Sequence, residues 1–169
     1  PSTPDMTGIR KSNGDYSTKQ MEEKFSQDRV RIGDAVKHYK EHAYGKKHMC
    51  FCVSVKDAEK VAEGFRDGGI SCLAVYGELG DAEITRRIIA FARGEVMALT
   101  SVNLMAFGFD LASAAGMPVT IESLGMMRPS DSMALVLQMW GRGLRMKDQP
   151  CDIFDHAGLA SKHGLPDDE

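Results

Sequence analysis

The chain has 169 residues, enough for one domain with a sizeable core. Its 43% apolar and 27% charged content is that of an ordinary water-exposed globular protein. A net charge of −3 excludes a globally basic nucleic-acid binder, so any such site has to be local, and no apolar run approaches the length of a membrane span.

The polar opening, "PSTPDMTG", does not read as a secretory leader, and a start on Pro rather than Met is expected of a piece of a longer protein. Residues 1 to 16 are rich in turn formers and read as linker. Ser17 is placed to cap a helix, with Gln20 completing a capping box in "STKQMEEKF". We therefore expect residues 1–30 to be a linker and a leading helix from a preceding domain, and residues 31–169 to be one domain. A second helix is expected from Ile32 to Tyr44. "KHMCFCV" then reads as a buried strand. Ser54 caps the following helix, in which Ala58, Val61, Ala62 and Phe65 form one apolar stripe and Gly68–Gly69 is the stop. "SCLAVYG" is the second strand. Asp81 is expected to cap the next helix, with Ile84, Ile88 and Phe91 on one face and Gly94 as its end. "VMALTS" is the third strand, "PVTIES" a weaker fourth, and "CDIFD" the last; between these final two, Ser130 caps a helix.

Strands alternating with helices of this length predict an α/β protein with a mostly parallel sheet and helices on both faces. Ligands of such sheets sit beyond the carboxyl ends of the strands, here after Val53, Tyr76, Leu99 and Phe154. Cys50 and Cys52 share one face of a strand. With His48 they could form a zinc site, but C-x-C without a second pair is a weak metal signature, and buried, reduced thiols in a cytoplasmic protein are the expectation. His156 and His163, in the tail loops, suggest a metal or a catalytic base, but loop histidines are usually just exposed.

The segment "SDSMALVLQMWGRGLR" reads as a helix. At about 3.6 residues per turn, Gln138, Arg142 and Arg145 share one face, while Met133, Val136, Leu137, Trp140 and Leu144 gather roughly opposite. Gly141 leaves a gap beside the arginines, at a cost of about 1 kcal/mol in a helix interior, which suits close approach of a ligand. Two adjacent guanidiniums offer planar forks of donors that fit phosphate oxygens.

"QMWGRGLR" resembles motif VI of superfamily 2 helicases, the Q-x-x-G-R-x-x-R signature. "ALTSVNLMAFGFD" resembles motif V, with Phe107 where the family often carries a charged residue. "MCFCVSVKDAEKVAEGF" resembles motif IV. The tail is similar to that of phage and bacterial DEAD/DEAH-type helicases. The resemblance covers roughly residues 8 to 169 and implies a RecA-like three-layer fold, with residues 31–169 as the C-terminal RecA-like domain. It further implies an ATP site shared with an N-terminal RecA-like domain of the same protein, which would bind most of the ATP and Mg²⁺. In that scheme Arg145 is the arginine finger, Arg142 a second phosphate contact or the residue that orients the water, and Gln138 the coupling residue. Gly108, Asp110 and Gly141 would border ATP, with Asp110 accepting from a ribose hydroxyl. Thr100, Ser101 and Ser54 would meet DNA or RNA. Partners are thus the N-terminal domain and nucleic acid, with no membrane.

The chain contains no G-x-x-x-x-G-K-[ST] and no D-E-x-D or D-E-x-H. By itself it is therefore expected to be inactive. One alternative is a non-catalytic nucleic-acid-binding or regulatory module on a helicase-like fold, against which the intact Gln138, Gly141, Arg142 and Arg145 speak. A stand-alone α/β enzyme with a nucleotide substrate is disfavoured, because no nucleophile, carboxylate pair or glycine-rich loop is evident.

Overall fold

The computed structural model describes residues 11–12, 15–17, 19–21, 29–102, 116, 119, 121–128 and 152–157. Within the segment expected to be linker, β1 (Lys11–Ser12) and β2 (Asp15–Tyr16) pair as a short antiparallel ribbon. Residues 19–21 are helical, and Ser17 Oγ accepts from the Gln20 N–H at 3.4 Å, the capping contact expected there. Helix α1 spans Arg29–His42, three residues ahead of the expected start. Its last turn carries Lys40 and His42, which complement the negative helix end, and Gly45 then turns the chain at φ 89°.

Five parallel strands follow: β3 (His48–Phe51), β4 (Cys72–Val75), β5 (Ala98–Ser101), β6 (Ser123–Met126) and β7 (Asp152–Asp155). They are ordered β4-β5-β3-β6-β7, which puts β3 at the centre. Helix α2 (Val55–Asp67) connects β3 to β4, and α3 (Asp81–Ala92) connects β4 to β5. Strand residues alternate between two cores. Met49, Phe51, Leu99, Leu124 and Met126 pack with Ile84, Ile88 and Phe91 of α3 on one face. Cys50, Cys52, Cys72, Ala74 and Ala98 pack on the other face against α1 and α2, through Tyr39, Val61 and Phe65 among others. The expected three-layer α/β architecture is thus the observed one.

Three sequence expectations are corrected or refined. Asp81 is the first residue of α3, not its cap. The cap position is Gly80, at φ 83°, which offers no side-chain bond, while Asp81 and Glu83 place acidic groups in the first turn. The fourth strand is Ser123–Met126, so the β-branched "PVTIES" mostly leads into it. Register decides this: the Glu122 and Ser123 N–H groups bond the Lys47 carbonyl, and Gly125 then falls against β3. A Cβ there would lie 2.9 Å from Cys50 Sγ and 3.0 Å from His48 Nε2, so the strand has to be bare at this point. His156, expected to be exposed, is buried.

The helix layer over the second core is close-packed. A Cβ on Gly64 would come within 2.4 Å of Ile32 Cγ2, and one on Gly68 within 2.8 Å of Val36 Cγ1. Gly64 and, one turn on, Gly68 at the carboxyl cap of α2 therefore set its approach to α1. At the sheet margin, the outward carbonyls of β4 are taken by side chains from opposite layers: Arg66 donates to the Cys72 carbonyl at 2.9 Å and Arg87 to that of Ala74 at 2.6 Å.

Candidate functional site

The candidate site lies at the carboxyl ends of the central strands, and among the described residues it is built by the exits of β3 and β6 and the last residues of β5. Beyond β3, Cys52, Val53 and Ser54 are buried. The Cys52 N–H bonds the Ser101 carbonyl at 2.9 Å, carrying the chain one residue past the strand. Ser54 is extended (φ −153°) and its hydroxyl accepts from the Asp57 N–H at 3.1 Å. Asp57 answers by accepting from the Val53 N–H at 2.9 Å. This reciprocal cap starts α2 and satisfies two donors that the helix end would otherwise leave open.

Asp57 is fully buried and faces Arg31 from α1. The guanidinium meets both carboxylate oxygens, at 3.0 and 3.2 Å, and also donates to the carbonyl of Met127, just after β6. The Met127 N–H is held by the Phe51 carbonyl at 3.0 Å. Four segments therefore converge here: α1, the end of β3, the start of α2 and the exit from β6. The sequence reading did not single out Arg31 or Asp57. The available signal was the capping pattern Ser54-x-x-Asp57; nothing local marked Arg31 as its partner 26 positions upstream.

Thr100 and Ser101 are both buried at the end of β5. The Thr100 hydroxyl donates to the Ala58 carbonyl at 2.9 Å, and that of Ser101 to the Cys50 carbonyl at 3.3 Å. These side chains tie the central strands and α2 together at the edge. Ser54 acts as the helix cap that its position suggested. The structure brings Ser54, Thr100 and Ser101 to the same edge of the sheet. Gly108, Asp110, Gln138, Gly141, Arg142 and Arg145 lie outside the described residues, as do Phe107, Cys151, His163 and the helix expected after Ser130.

Two buried histidines lie at opposite ends of the sheet, His156 just past the carboxyl end of β7 and His48 at the amino end of β3. His156 follows β7, stacks on His38 with ring centroids 5.5 Å apart, and lies 6.4 Å from Phe154. Burial, then the nearby His38, lowers its pKa to about 4. His48 opens β3, with Nδ1 2.7 Å from Ser123 Oγ and the Tyr39 ring 4.8 Å away; burial lowers its pKa to about 3. Both are neutral imidazoles near neutral pH. Cys50, Cys52 and Cys72 are free, buried thiols, as expected, and burial raises the pKa of each, to about 12 for Cys72. Among the described residues, no group of three or more His, Cys, Asp or Glu is arranged to hold a metal ion, and no helix is long and apolar enough to cross a membrane.

Comparison with known proteins gives this arrangement a context. Residues 29–147 match the helicase conserved C-terminal domain, a span that begins at α1 and includes every candidate site residue. A 51.5 kDa protein of a Lactococcus phage (isolate 7-9) is 30% identical over 164 residues, 96% of this chain and 34% of that protein. The irc3 protein of Schizosaccharomyces pombe, named as a candidate mitochondrial ATP-dependent helicase, is 30% identical over 135 residues, 78% of this chain and 21% of its own length. The chain thus spans about a third or less of these relatives. A crystal structure of a DEAD box protein from the hyperthermophile Methanococcus jannaschii superposes with a TM-score of 0.61 at 18% identity, over 73% of this chain and 32% of that one. At that identity the likeness bears on the fold, which is RecA-like.

Proposed function

Because the chain belongs to the helicase conserved C-terminal domain family, we propose that it is the second motor domain of an ATP-dependent nucleic-acid helicase or translocase. The observation that carries this is the family match across residues 29–147, which takes in both the sheet's carboxyl edge and the arginine segment. The nucleotide lies in a cleft shared with a preceding RecA-like domain. That domain holds ATP and Mg²⁺, since this chain has neither a phosphate loop nor the acidic pair that accompanies it.

The contribution of this chain is electrostatic. Arg145 and Arg142 present guanidinium forks to the phosphates, where charge accumulates as the terminal phosphoryl group departs. Gly141 leaves room for that approach, and Gln138 links the nucleotide to the domain interface. Gly108 and Asp110 border the ribose. DNA or RNA crosses the carboxyl edge at Ser54, Thr100 and Ser101. Because those hydroxyls are engaged internally, they serve there mainly by holding the strand ends in place. Contact with the nucleic-acid backbone is then weak in this domain alone and strongly dependent on salt.

The test is steady-state ATP turnover by the two-domain protein at saturating nucleic acid. Arg145→Lys keeps the charge and loses the planar fork. Removing a finger costs about 10³-fold or more in rate, roughly 4 kcal/mol of barrier. A surface ion pair would cost about 0–1 kcal/mol of stability and nothing in rate. The expected result is a collapse of turnover with an unchanged melt of this domain, and no turnover by this chain on its own. Near-parental turnover by Arg145→Lys would remove the finger assignment.

A further inference from the structure

The contact between Arg31 and Asp57 is a buried, bidentate ion pair, with Arg31 only 6% exposed and Asp57 fully enclosed. Such a pair is a poor source of net stability. Desolvating both charges offsets most of their attraction, and neutral residues of similar size often serve as well or better. Its geometry is nonetheless specific. The two carboxylate contacts fix the plane of the guanidinium, and in that plane Arg31 also reaches the Met127 carbonyl. With its N–H on Phe51 and its carbonyl on Arg31, Met127 is held from both sides. In the sequence, Met127 and Arg128 are where the chain leaves β6 and heads for the arginine segment.

We infer that Arg31 is a positioning residue: held in orientation by Asp57, it fixes the main chain at Met127 and so the point from which the arginine segment departs. It touches no nucleotide. It acts through the backbone, and a misplacement of about 1 Å at a distance can cost on the order of 10²-fold in rate. The inference rests on the functional reading above.

The test separates positioning from stability. In the two-domain protein, Arg31→Met with Asp57→Asn removes both charges together, so that neither is left buried alone. The amide introduced by Asp57→Asn retains an oxygen for the Val53 N–H, and the tie from Arg31 to Met127 is lost. A pair that only stabilises would lower the melt and leave the turnover of the folded protein at the parent's level. A positioning pair leaves the melt close to the parent's while kcat for ATP falls about 10- to 100-fold, with KM for ATP little changed. A folded double variant with parental kcat overturns the inference. Should the double variant not fold, Arg31→Lys keeps a cation opposite Asp57 but cannot form the bidentate pair and the carbonyl contact in one plane; the same loss of kcat at constant KM is expected. If neither variant melts cooperatively, the pair is a stability element and the inference falls. If the unsubstituted two-domain protein fails to hydrolyse ATP, the functional reading itself falls and takes this inference with it; turnover that persists unaltered in the folded variant removes the inference alone.

Discussion

Gly125 illustrates how one atom governs the middle of the sheet. Its missing side chain admits the Cys50 thiol and the His48 ring, which come from the neighbouring strand. Neither neighbour can retreat easily, because His48 is held by Ser123 and Cys50 lies in the core beneath α2. Gly125→Ala is therefore expected to destabilise by about 1–3 kcal/mol through overpacking. At roughly 2–4 °C per kcal/mol for a domain near this size, the melting midpoint should drop by several degrees. An unchanged midpoint by calorimetry would mean that the neighbours give way. The residue scale is also where the sequence was least informative. Thr100 and Ser101 were marked by motif position, yet no pattern in the chain says that their hydroxyls turn inward to carbonyls of other segments. Asp57 and Arg31 carry no mark in the sequence, because their ion pair joins two helices across 26 positions and each half alone looks like a solvated charge.

At the scale of elements, the fit between α1 and α2 depends on Gly64 and Gly68. Replacing glycine by alanine inside a helix usually gains about 1 kcal/mol. At Gly64 that gain is opposed by a 2.4 Å approach to a methyl of Ile32, a β-branched side chain with little freedom to swing aside. Gly33, in the interior of α1, has nothing within 4 Å of the added carbon. The same substitution should thus act with opposite sign at the two sites: Gly33→Ala raises stability by up to about 1 kcal/mol, and Gly64→Ala lowers it. Urea unfolding of both variants measures this, and a stabilising Gly64→Ala would refute the close-packing account. The elements themselves were largely legible. Apolar stripes located α2 and α3, and short apolar runs located β3, β4, β5 and β7, because each pattern is local and periodic. Structure and sequence pattern differ where periodicity gives no guidance. Val119 and Ile121 resemble strand residues, but pairing with β3 selects Ser123–Met126. Asp81 resembles a cap, but the positive φ of Gly80 starts the helix one residue earlier. Of the candidate site, motif position marked Ser54, Thr100 and Ser101, which the structure brings to the carboxyl edge of the sheet; the cross-links that organise that edge were not legible, and the arginine segment lies outside the described residues.

Across the whole molecule, the buried imidazoles make stability depend on pH. His48 and His156 have pKa values of about 3 and 4 in the folded chain and return to about 6.5 on unfolding. Between those values the unfolded chain binds protons that the folded chain refuses. Their contribution is therefore complete above about pH 6.5 and declines as the pH falls toward 4. Urea midpoints should correspond to a loss of about 1–4 kcal/mol between pH 7.5 and pH 5. Stability that holds steady over this range would show the two rings to be more hydrated than their surroundings imply. The sheet margin at β4 has a different consequence, which concerns encounters between molecules. A parallel sheet of this kind ends in a strand whose outward carbonyls could accept the backbone of another chain, the first step of strand-on-strand aggregation. Here Arg66 and Arg87 reach in from opposite layers and occupy two of those carbonyls. A docking strand would have to displace two charged donors before forming its first bonds there, so this margin of the described sheet is guarded against its own kind.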